Sequence, residues 1–251
     1  MEFENKVVLV TGSSSGIGEQ IALDFAKNGA KVVVTGRNQE RVEAVRNKCS
    51  QISPNQQRAI GVIADLTDDS EMRKLIESTI IEFGQLDVLV NNAGTVKFVA
   101  VDDPSLITAC DAQYRNNLRP YIYLSNLAIP HLIKTKGCIV NISSTSALKP
   151  EPEMLPINVI DAGKDMVTRS MALELGPKGV RVNSVQPGWI KTPMYEKEGL
   201  VFEELEGFAK QPLKKVGLPE DVSHCVLFLA SSKAAFITGT CLQTDAGLLD
   251  A

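Results

Sequence analysis

The chain has 251 residues, a hydrophobic content of 44% and a formal net charge of −4, which suits one substantial core. Its 26 basic residues are scattered among 30 acidic ones, so no basic stripe favours nucleic acid or an anionic membrane surface as a partner. Apolar runs are too short for a membrane span. A strand-like Lys6–Val10 follows closely on Met1, so we expect no secretory segment and a cytoplasmic location.

The cysteines argue against a metal site. They are odd in number, widely spaced and without a CxxC pair, and only two histidines accompany them. Reduced thiols are therefore the expectation, and no metal is predicted. The cysteines are Cys49, Cys110, Cys138, Cys225 and Cys241.

Short β-branched runs alternate with amphipathic stretches along the whole chain. This alternation predicts βαβ units, and hence a mostly parallel sheet with helices on both faces. Near-continuous apolar runs such as Val32–Val34 indicate strands that are buried on both sides. We predict one doubly wound α/β domain over residues 1–251. The predicted strands are Val7–Val10, Lys31–Thr35, Arg58–Ile63, Leu86–Val90, Cys138–Ile142 and Val180–Val185.

A glycine-rich segment, Thr11–Gly18, joins the first strand to a predicted helix over Glu19–Asn28. Glycine permits positive φ and close approach of the backbone to a ligand, and a helix N-terminus attracts phosphate. By itself such a segment can be an ordinary tight connection. Its place between the first strand and the first helix favours a pyrophosphate site.

Polar residues follow the second, third and fourth strands, where a doubly wound fold binds its ligands. Arg37 stands where a carboxylate would select NAD, and its guanidinium can pair with the 2′-phosphate of NADP; an ordinary exposed arginine is the alternative. Asp65 can accept from an adenine amino group, although helix capping is the default interpretation. Asn91–Gly94 suits a sugar lying against the backbone, but by itself it can be a turn.

Taken in order, these motifs resemble those of the short-chain dehydrogenase/reductase family in its compact form. The resemblance covers essentially the whole chain and implies a Rossmann-type sheet of about seven parallel strands, a nicotinamide cofactor, and a homotetramer or homodimer. Its motifs are Thr11-Gly12-x-x-x-Gly16-x-Gly18, Asp65-Leu66, Asn91-Asn92-Ala93-Gly94, Asn141-Ile142-Ser143-Ser144, Arg181-Val182-Asn183-Ser184-Val185-x-Pro187-Gly188, Gly217–Val222 and Thr244–Gly247. The cofactor residues it implies are Gly12, Ser14, Ser15, Gly16, Ile17, Gly18, Arg37, Asp65, Leu66, Asn92, Ala93, Gly94, Pro187, Gly188 and Thr192.

The resemblance also implies a catalytic Asn, Ser, Tyr and Lys. Asn117 matches the asparagine that holds a water, and Ser144 matches the serine that bonds the substrate oxygen. The tyrosine normally lies about thirteen positions after that serine and the lysine four later, on one helical face. Those positions hold Ile157 and Asp161. The sequence therefore predicts that the proton donor and its neighbouring cation are both missing.

Four other residues are candidates to replace the missing groups. Lys164 lies one turn beyond Asp161 and is interpreted mainly as a solvated helix lysine. Glu151 and Glu153 lie in a loop above the expected site, and Tyr195 follows Pro187-Gly188. For each we prefer a surface or packing role.

Three functions remain open from the sequence. The preferred one is an NADP(H)-binding, catalytically impaired or inactive homologue, with weakened cofactor binding and an unknown small-molecule ligand. The alternative is an active NADP-dependent carbonyl or alcohol oxidoreductase with a substitute acid. A purely structural role follows if Met154, Leu155 and Ile157 fill the pocket. The expected substrate lid, about residues 192–212, carries no motif that identifies a substrate.

Overall fold

The computed structural model describes residues 1–54, 56–197 and 211–250. Within these residues seven strands form one sheet in the order β3-β2-β1-β4-β5-β6-β7, and every neighbouring pair is parallel. The strands are β1 (Val7–Val10), β2 (Lys31–Gly36), β3 (Ile60–Ile63), β4 (Val88–Asn91), β5 (Cys138–Ile142), β6 (Arg181–Pro187) and β7 (Cys241–Thr244). The chain winds outwards in both directions from β1. The predicted single-domain, Rossmann-type doubly wound fold is confirmed.

Helices cover both faces of this sheet. The helices are α1 (Gly16–Lys27), α2 (Gln39–Ile52), α3 (Asp69–Phe83), α4 (Leu106–Gln113), α5 (Arg119–Thr135), α6 (Leu155–Leu175), α7 (Pro193–Lys197) and α8 (Pro219–Ala230). A π-helical turn, Tyr114–Leu118, joins α4 to α5. Such turns are rare and occur often at functional sites.

Two apolar cores hold the layers together. Val8 and Val10 of β1 pack in the core formed with α1, α2 and α8, whereas Val7 and Leu9 pack in the core formed with α3, α5 and α6. Successive side chains of a strand point to opposite faces of the sheet, and here helices bury both faces. That burial explains the continuous apolar runs of the sequence.

The observed strands differ from the predicted ones mainly at their ends. The bounds of β1 and β5 are confirmed, but β3 begins at Ile60 because its pairing with β2 starts at the register Val33 to Ile60. Arg58, predicted to open this strand, instead pairs with Glu82 on the surface. In contrast, β6 continues to Pro187, since that residue is in register with Thr244 of β7.

Among the described residues, no helix has both the length and the apolar character that crossing a bilayer requires.

Candidate active site

A cavity of about 420 Å³ opens at the carboxyl ends of the strands. Its walls contain both predicted groups of residues, those expected to bind the cofactor and those at the positions of the catalytic groups. The predicted residues that line it are Gly12, Ser14, Ser15, Gly16, Ile17, Arg37, Asp65, Leu66, Asn92, Ala93, Gly94, Asn117, Ser144, Ile157, Asp161, Pro187, Gly188 and Thr192. Residues that are up to 180 positions apart in the chain are thus brought to one cavity.

The glycine-rich turn has the conformation that a phosphate cradle requires. Gly12 and Gly16 have φ values of +62° and +60°, which side chains other than glycine rarely adopt. A Cβ at Gly12 would lie 2.8 Å from the Ala93 Cα. Ser15 precedes α1 without a side-chain hydrogen bond to the helix, so the first N–H groups of α1 are not capped by it. An anionic group fits there.

Gly18 is the one predicted cofactor residue that is not among the residues lining the described cavity. A Cβ there would collide with the Asn92 amide and with the Gly12 carbonyl. Gly18 therefore lets α1 pack closely against the ends of β1 and β4, which is the role expected of the third glycine in such a turn.

Thr11 fastens the glycine turn to the segment after β4. Its hydroxyl oxygen accepts hydrogen bonds from the backbone N–H of Asn92 at 2.8 Å and of Ala93 at 3.0 Å. The Asn92 amide donates in return to the Thr11 carbonyl at 2.9 Å. These bonds span about 80 positions of sequence. They join the glycine turn to the segment after β4, and these two segments form the floor of the cavity.

Arg37 and Asp65 lie at the β2–β3 end of the cavity. The prediction that Asp65 caps the next helix is wrong, because Asp68 caps α3 by accepting from Ser70 and Glu71. Asp65 accepts instead from the backbone N–H and hydroxyl of Thr67, at 2.9 and 2.8 Å. The Thr67 N–H, and to a smaller extent Arg37, keep the pKa of Asp65 below its usual value.

Asn117 lies in the π-helical turn and is buried. Its side-chain oxygen accepts from the Thr95 N–H at 2.8 Å, and its amide donates to the Thr95 carbonyl at 2.7 Å and to the Gln113 side chain. The amide thus fixes the loop after Gly94 against the start of α5. This is how the structure places the predicted catalytic asparagine at the cavity wall.

Ser144 stands just beyond β5, and its oxygen accepts from the Ser146 N–H at 3.1 Å. It caps the short 3₁₀ turn Thr145–Ala147 and also lines the cavity, while the predicted bond to a substrate oxygen stays a prediction. A serine hydroxyl also has a proton to donate. It suits recognition of a ligand oxygen.

Ile157 and Asp161 lie on the face of α6 that meets the cavity, with 6% and 5% of their surface exposed. The Asp161 carboxylate accepts from the Ser146 hydroxyl at 2.7 Å and forms an ion pair with Lys164 at 2.9 Å. The interpretation of Lys164 as a solvated lysine is wrong, because only 7% of its side chain is exposed. Its ammonium points back along α6 towards the Asp161 carboxylate.

A tyrosine completes this buried cluster. The Lys164 ammonium lies 4.8 Å from the centroid of the Tyr121 ring, and the Tyr121 hydroxyl donates to the Ile142 carbonyl at 3.0 Å. Burial alone would lower the pKa of Lys164, but Asp161, Tyr121 and Asp165 together more than offset burial, and the net shift is upwards. Lys164 is therefore a permanent cation, and it balances the charge of Asp161.

The sequence reasoning did not identify Tyr121 or Ser146 as site residues. Tyr121 is four residues after Asn117, a spacing that places two residues on the same side of a helix, and this spacing was the available signal. Ser146 carried none, since a serine in a polar loop has no distinctive pattern. Both line the cavity.

The remaining substitute acids differ in position. Glu151 and Tyr195 line the cavity, whereas Glu153 is not among the described lining residues and is exposed. Burial raises the pKa of Tyr195, and the Glu151 and Asp161 carboxylates raise it further. That phenol is a weaker acid than a free tyrosine. Of the predicted lid, residues 198–210 lie outside the described residues.

Within the described ranges, no three His, Cys, Asp or Glu side chains come together to hold a metal ion. The five cysteines are unpaired thiols. Burial raises the pKa of Cys49 to about 12 and that of Cys138 to about 11, so these thiols stay protonated at neutral pH.

Comparison with known proteins identifies the family. Residues 12–249 match the family model described as enoyl-(acyl carrier protein) reductase. The chain is 35% identical over 253 residues to the meso-2,3-butanediol dehydrogenase of Serratia marcescens, covering 98% of this chain and 96% of that protein. The chain belongs to the short-chain dehydrogenase/reductase family.

Solved structures agree with this assignment. A short-chain dehydrogenase/reductase of unknown function from Caenorhabditis elegans, determined with cofactor, matches with a TM-score of 0.90 and 35% identity, covering 99% of this chain and 96% of the other. A 7α-hydroxysteroid dehydrogenase complexed with NADH and 7-oxo glycochenodeoxycholic acid matches with a TM-score of 0.91 and 31% identity, covering 98% and 95%. The chain is therefore similar to NAD(P)-dependent oxidoreductases.

The residues present suit a nicotinamide dinucleotide. The cavity has a glycine turn and a helix N-terminus in its middle, which suit a pyrophosphate. On each side of them it has side chains that suit one nucleoside. Such a cofactor, when bound, supplies hydride chemistry. Of the chain's own groups, the glycine turn would hold the pyrophosphate, and the Ser144 hydroxyl would donate to a substrate oxygen.

Proposed function

We propose that this protein binds NADP(H) and is a catalytically impaired or inactive dehydrogenase homologue. The observation that carries the proposal is the ion pair between Asp161 and Lys164, beside Ile157. In place of a phenol and a free ammonium, the cavity presents an alkyl group and a charge that is already neutralised. Ile157 has no proton to transfer.

The electrostatics add to this argument. A proton-transferring tyrosine needs its pKa lowered from about 10 towards neutrality by a nearby cation. At this wall the cation is balanced by Asp161, and the phenols of Tyr121 and Tyr195 both have raised pKa values, in each case chiefly because of burial. Loss of a positioned general acid costs about 10²–10⁴ in rate.

The pyrophosphate and adenosine parts of the cavity do not involve Ile157 or Asp161. The glycine turn, Thr11 and Asn92 are intact, and Arg37 lies at the cavity end where a 2′-phosphate would be placed in NADP. The cavity also remains open beside Ile157 and Met154, and Leu155 is 40% exposed. This geometry supports a ligand-binding role over a purely structural one.

A second candidate function is an active NADP-dependent carbonyl or alcohol oxidoreductase with a substitute acid. Two observations favour it: Glu151 and Tyr195 line the cavity, and the relatives named above carry enzyme names. Against it, the phenol of Tyr195 has neighbours that hold its proton more tightly.

We also propose that the protein is a homotetramer or homodimer. Large apolar side chains are exposed along α5 and α6, a pattern that marks association surfaces. They are Ile122, Val159, Met166 and Leu173. Sedimentation velocity would measure the state, and a monomer at micromolar concentration would contradict the proposal.

The decisive experiment restores the missing groups. Ile157→Tyr with Asp161→Lys alone would place two ammonium groups beside each other in a buried site, because Lys164 occupies it. The restored variant therefore also carries Lys164→Met. NADPH binding is titrated first by fluorescence, and NADPH oxidation is then measured with a panel of aldehydes and ketones.

We expect both proteins to bind NADPH and the restored variant to be faster by about 10²–10⁴ on at least one carbonyl. The matched control is Lys164→Met with Asp161→Leu, which removes the same charges and supplies no acid. If the native protein turns over as fast as the restored one, the second candidate is correct. If the native protein does not bind NADPH at high micromolar concentration, both candidates fail.

A further inference from the structure

We propose that Asp161 and Lys164 together form a diol-binding site that holds the nicotinamide ribose, with Asp161 accepting and Lys164 donating hydrogen bonds. This inference rests on the proposed binding of NADP(H). It assigns a ligand-binding role to two residues that otherwise appear only as the loss of a catalytic pair.

The layout of the cavity brings a sugar to this wall. The glycine turn after β1 suits the pyrophosphate, and Arg37 and Asp65 lie over β2 and β3 on one side of it. Asp161 and Lys164 lie on the other side, with Ser144 at the end of β5. A dinucleotide whose pyrophosphate occupies the turn places one nucleoside on each side. The sugar of the second nucleoside therefore faces α6.

The pair offers complementary hydrogen-bonding groups. Carboxylate and ammonium lie 2.9 Å apart on the cavity wall, so an acceptor and a donor are adjacent. Each hydroxyl of a vicinal diol both donates and accepts. Each carboxylate oxygen of Asp161 uses one lone pair, one for Lys164 and one for the Ser146 hydroxyl. Further lone pairs remain for a ligand hydroxyl.

Two neighbours hold the pair in position. The Ser146 hydroxyl donates to Asp161 at 2.7 Å, and the face of the Tyr121 ring lies 4.8 Å from the Lys164 ammonium. Tyr121 is itself fixed through its hydroxyl to the Ile142 carbonyl. Ser146 and Tyr121 are thus positioning residues. A site fixed in this way loses little conformational freedom when a ligand binds.

Fold stability alone does not account for the pair. Removing two charges from water costs about as much as their attraction returns, so a buried ion pair often stabilises a protein no more than apolar residues of similar volume would. A buried charged pair that lines a ligand cavity, as Asp161 and Lys164 do, is instead typical of functional sites. Binding of a polyol gives this pair a chemical role.

The test uses two soluble probes that divide the cofactor. Reduced nicotinamide mononucleotide contains the nicotinamide ribose, whereas 2′,5′-ADP contains only the adenosine side. Dissociation constants for both, and for NADPH, are measured for the native protein and for Asp161→Leu with Lys164→Met. Both charges are removed together, because a single change would leave the other buried and unpaired. Asp161→Asn with Lys164→Gln keeps an acceptor and a donor without charge.

We expect the Leu/Met variant to bind NADPH and the mononucleotide roughly 10- to 100-fold more weakly, the range for lost hydrogen bonds to charged groups. Its affinity for 2′,5′-ADP should stay within about twofold, a change too small to reflect lost contacts. The Asn/Gln variant should recover part of the loss. As a matched control, Arg58→Met with Glu82→Leu removes an ion pair that is not among the lining residues and should change none of the constants.

An unchanged NADPH constant in the Leu/Met variant overturns the inference and leaves the proposed function standing. Equal weakening of NADPH and 2′,5′-ADP overturns it as well, since that pattern reports general distortion. If the native protein binds none of the probes, the proposed function itself fails.

Discussion

The side-chain amide of Asn117 bonds both backbone groups of Thr95, accepting from its N–H at 2.8 Å and donating to its carbonyl at 2.7 Å. The pairing imitates a strand–strand contact and fixes the loop after Gly94 to the π-helical turn. A residue that the family resemblance assigns to catalysis therefore also has a structural task.

Asn117→Ala should lower both stability and cofactor affinity. Two partly buried backbone groups of Thr95 lose their partners, and the cost for each is at most about 1–3 kcal/mol. The midpoint of thermal unfolding should fall by roughly 2–4 °C per kcal/mol. Asn116→Ala is the control, since Asn116 also lines the cavity but is half-exposed. Scanning calorimetry with and without NADPH measures both effects, and equal midpoints for the two variants would contradict the prediction.

Gly18→Ala should disrupt the cofactor half of the cavity. The added methyl group would meet the Gly12 carbonyl and the Asn92 amide, so α1 must move away from β1. Overpacking of this kind costs about 1–3 kcal/mol, and we expect NADPH affinity to fall at least tenfold. Gly176→Ala is the matched control, because nothing lies within 4 Å of its Cβ position. Fluorescence titration of both variants would decide, and a native-like constant for Gly18→Ala would refute the packing argument.

The buried carboxyl of Asp165 should make the free energy of unfolding depend on pH. Burial raises the pKa of this carboxyl, although the Gln186 amide and the Ser184 hydroxyl donate to it at 2.5 and 3.2 Å. A folded pKa above the unfolded value means that the carboxyl stabilises the fold only while protonated. Its unfavourable contribution therefore appears as pH rises from about 4, the unfolded pKa, through the folded pKa.

Asp165→Asn should accordingly raise the unfolding midpoint at about pH 7 and leave it nearly unchanged at about pH 3, where the carboxyl is protonated in both states. The exposed Asp102→Asn is the control and should show no such trend. Urea unfolding across this range gives the free energies. If the stabilisation of Asp165→Asn relative to the native protein grew as the pH fell, the prediction would be contradicted.

Arg37→Ala tests the expected preference for NADP(H). Loss of a charge-assisted hydrogen bond to the 2′-phosphate should weaken NADPH and 2′,5′-ADP roughly 10- to 100-fold, while NADH binding should hardly change. Arg58→Ala, at an exposed arginine paired with Glu82, should alter neither constant. Competitive titration supplies all three values, and a parallel loss for NADH and NADPH would show that Arg37 does not read the phosphate.

Much of the fold could be predicted because local pattern and tertiary structure agree. Strands β1 and β5 are buried on both faces, and their predicted limits coincide with the observed ones. The residues predicted to bind the cofactor lie at or after strand ends, and all of them except Gly18 line one cavity. The start of β3 at Ile60 could not be predicted from the sequence, because it depends on pairing with β2.

The α6 cluster could not be predicted in the same way. Whether Lys164 is solvated or buried depends on a partner one turn away and on an aromatic ring from α5, which meet only in the folded chain. Helical periodicity places Asp161 and Lys164 near one face, but a charge at such a position ordinarily indicates solvent. The capping role assigned to Asp65 was wrong for a related reason, because Asp68 lies closer to the helix start.

The hydrogen bonds of Thr11 to Asn92 and Ala93 separate two properties of the cavity. They order these segments during folding, so that little further conformational entropy is lost when a dinucleotide binds. The floor takes no support from Ile157 or Asp161. The pyrophosphate end of the cavity is thus built without α6, and a substitution on that helix leaves this end in place.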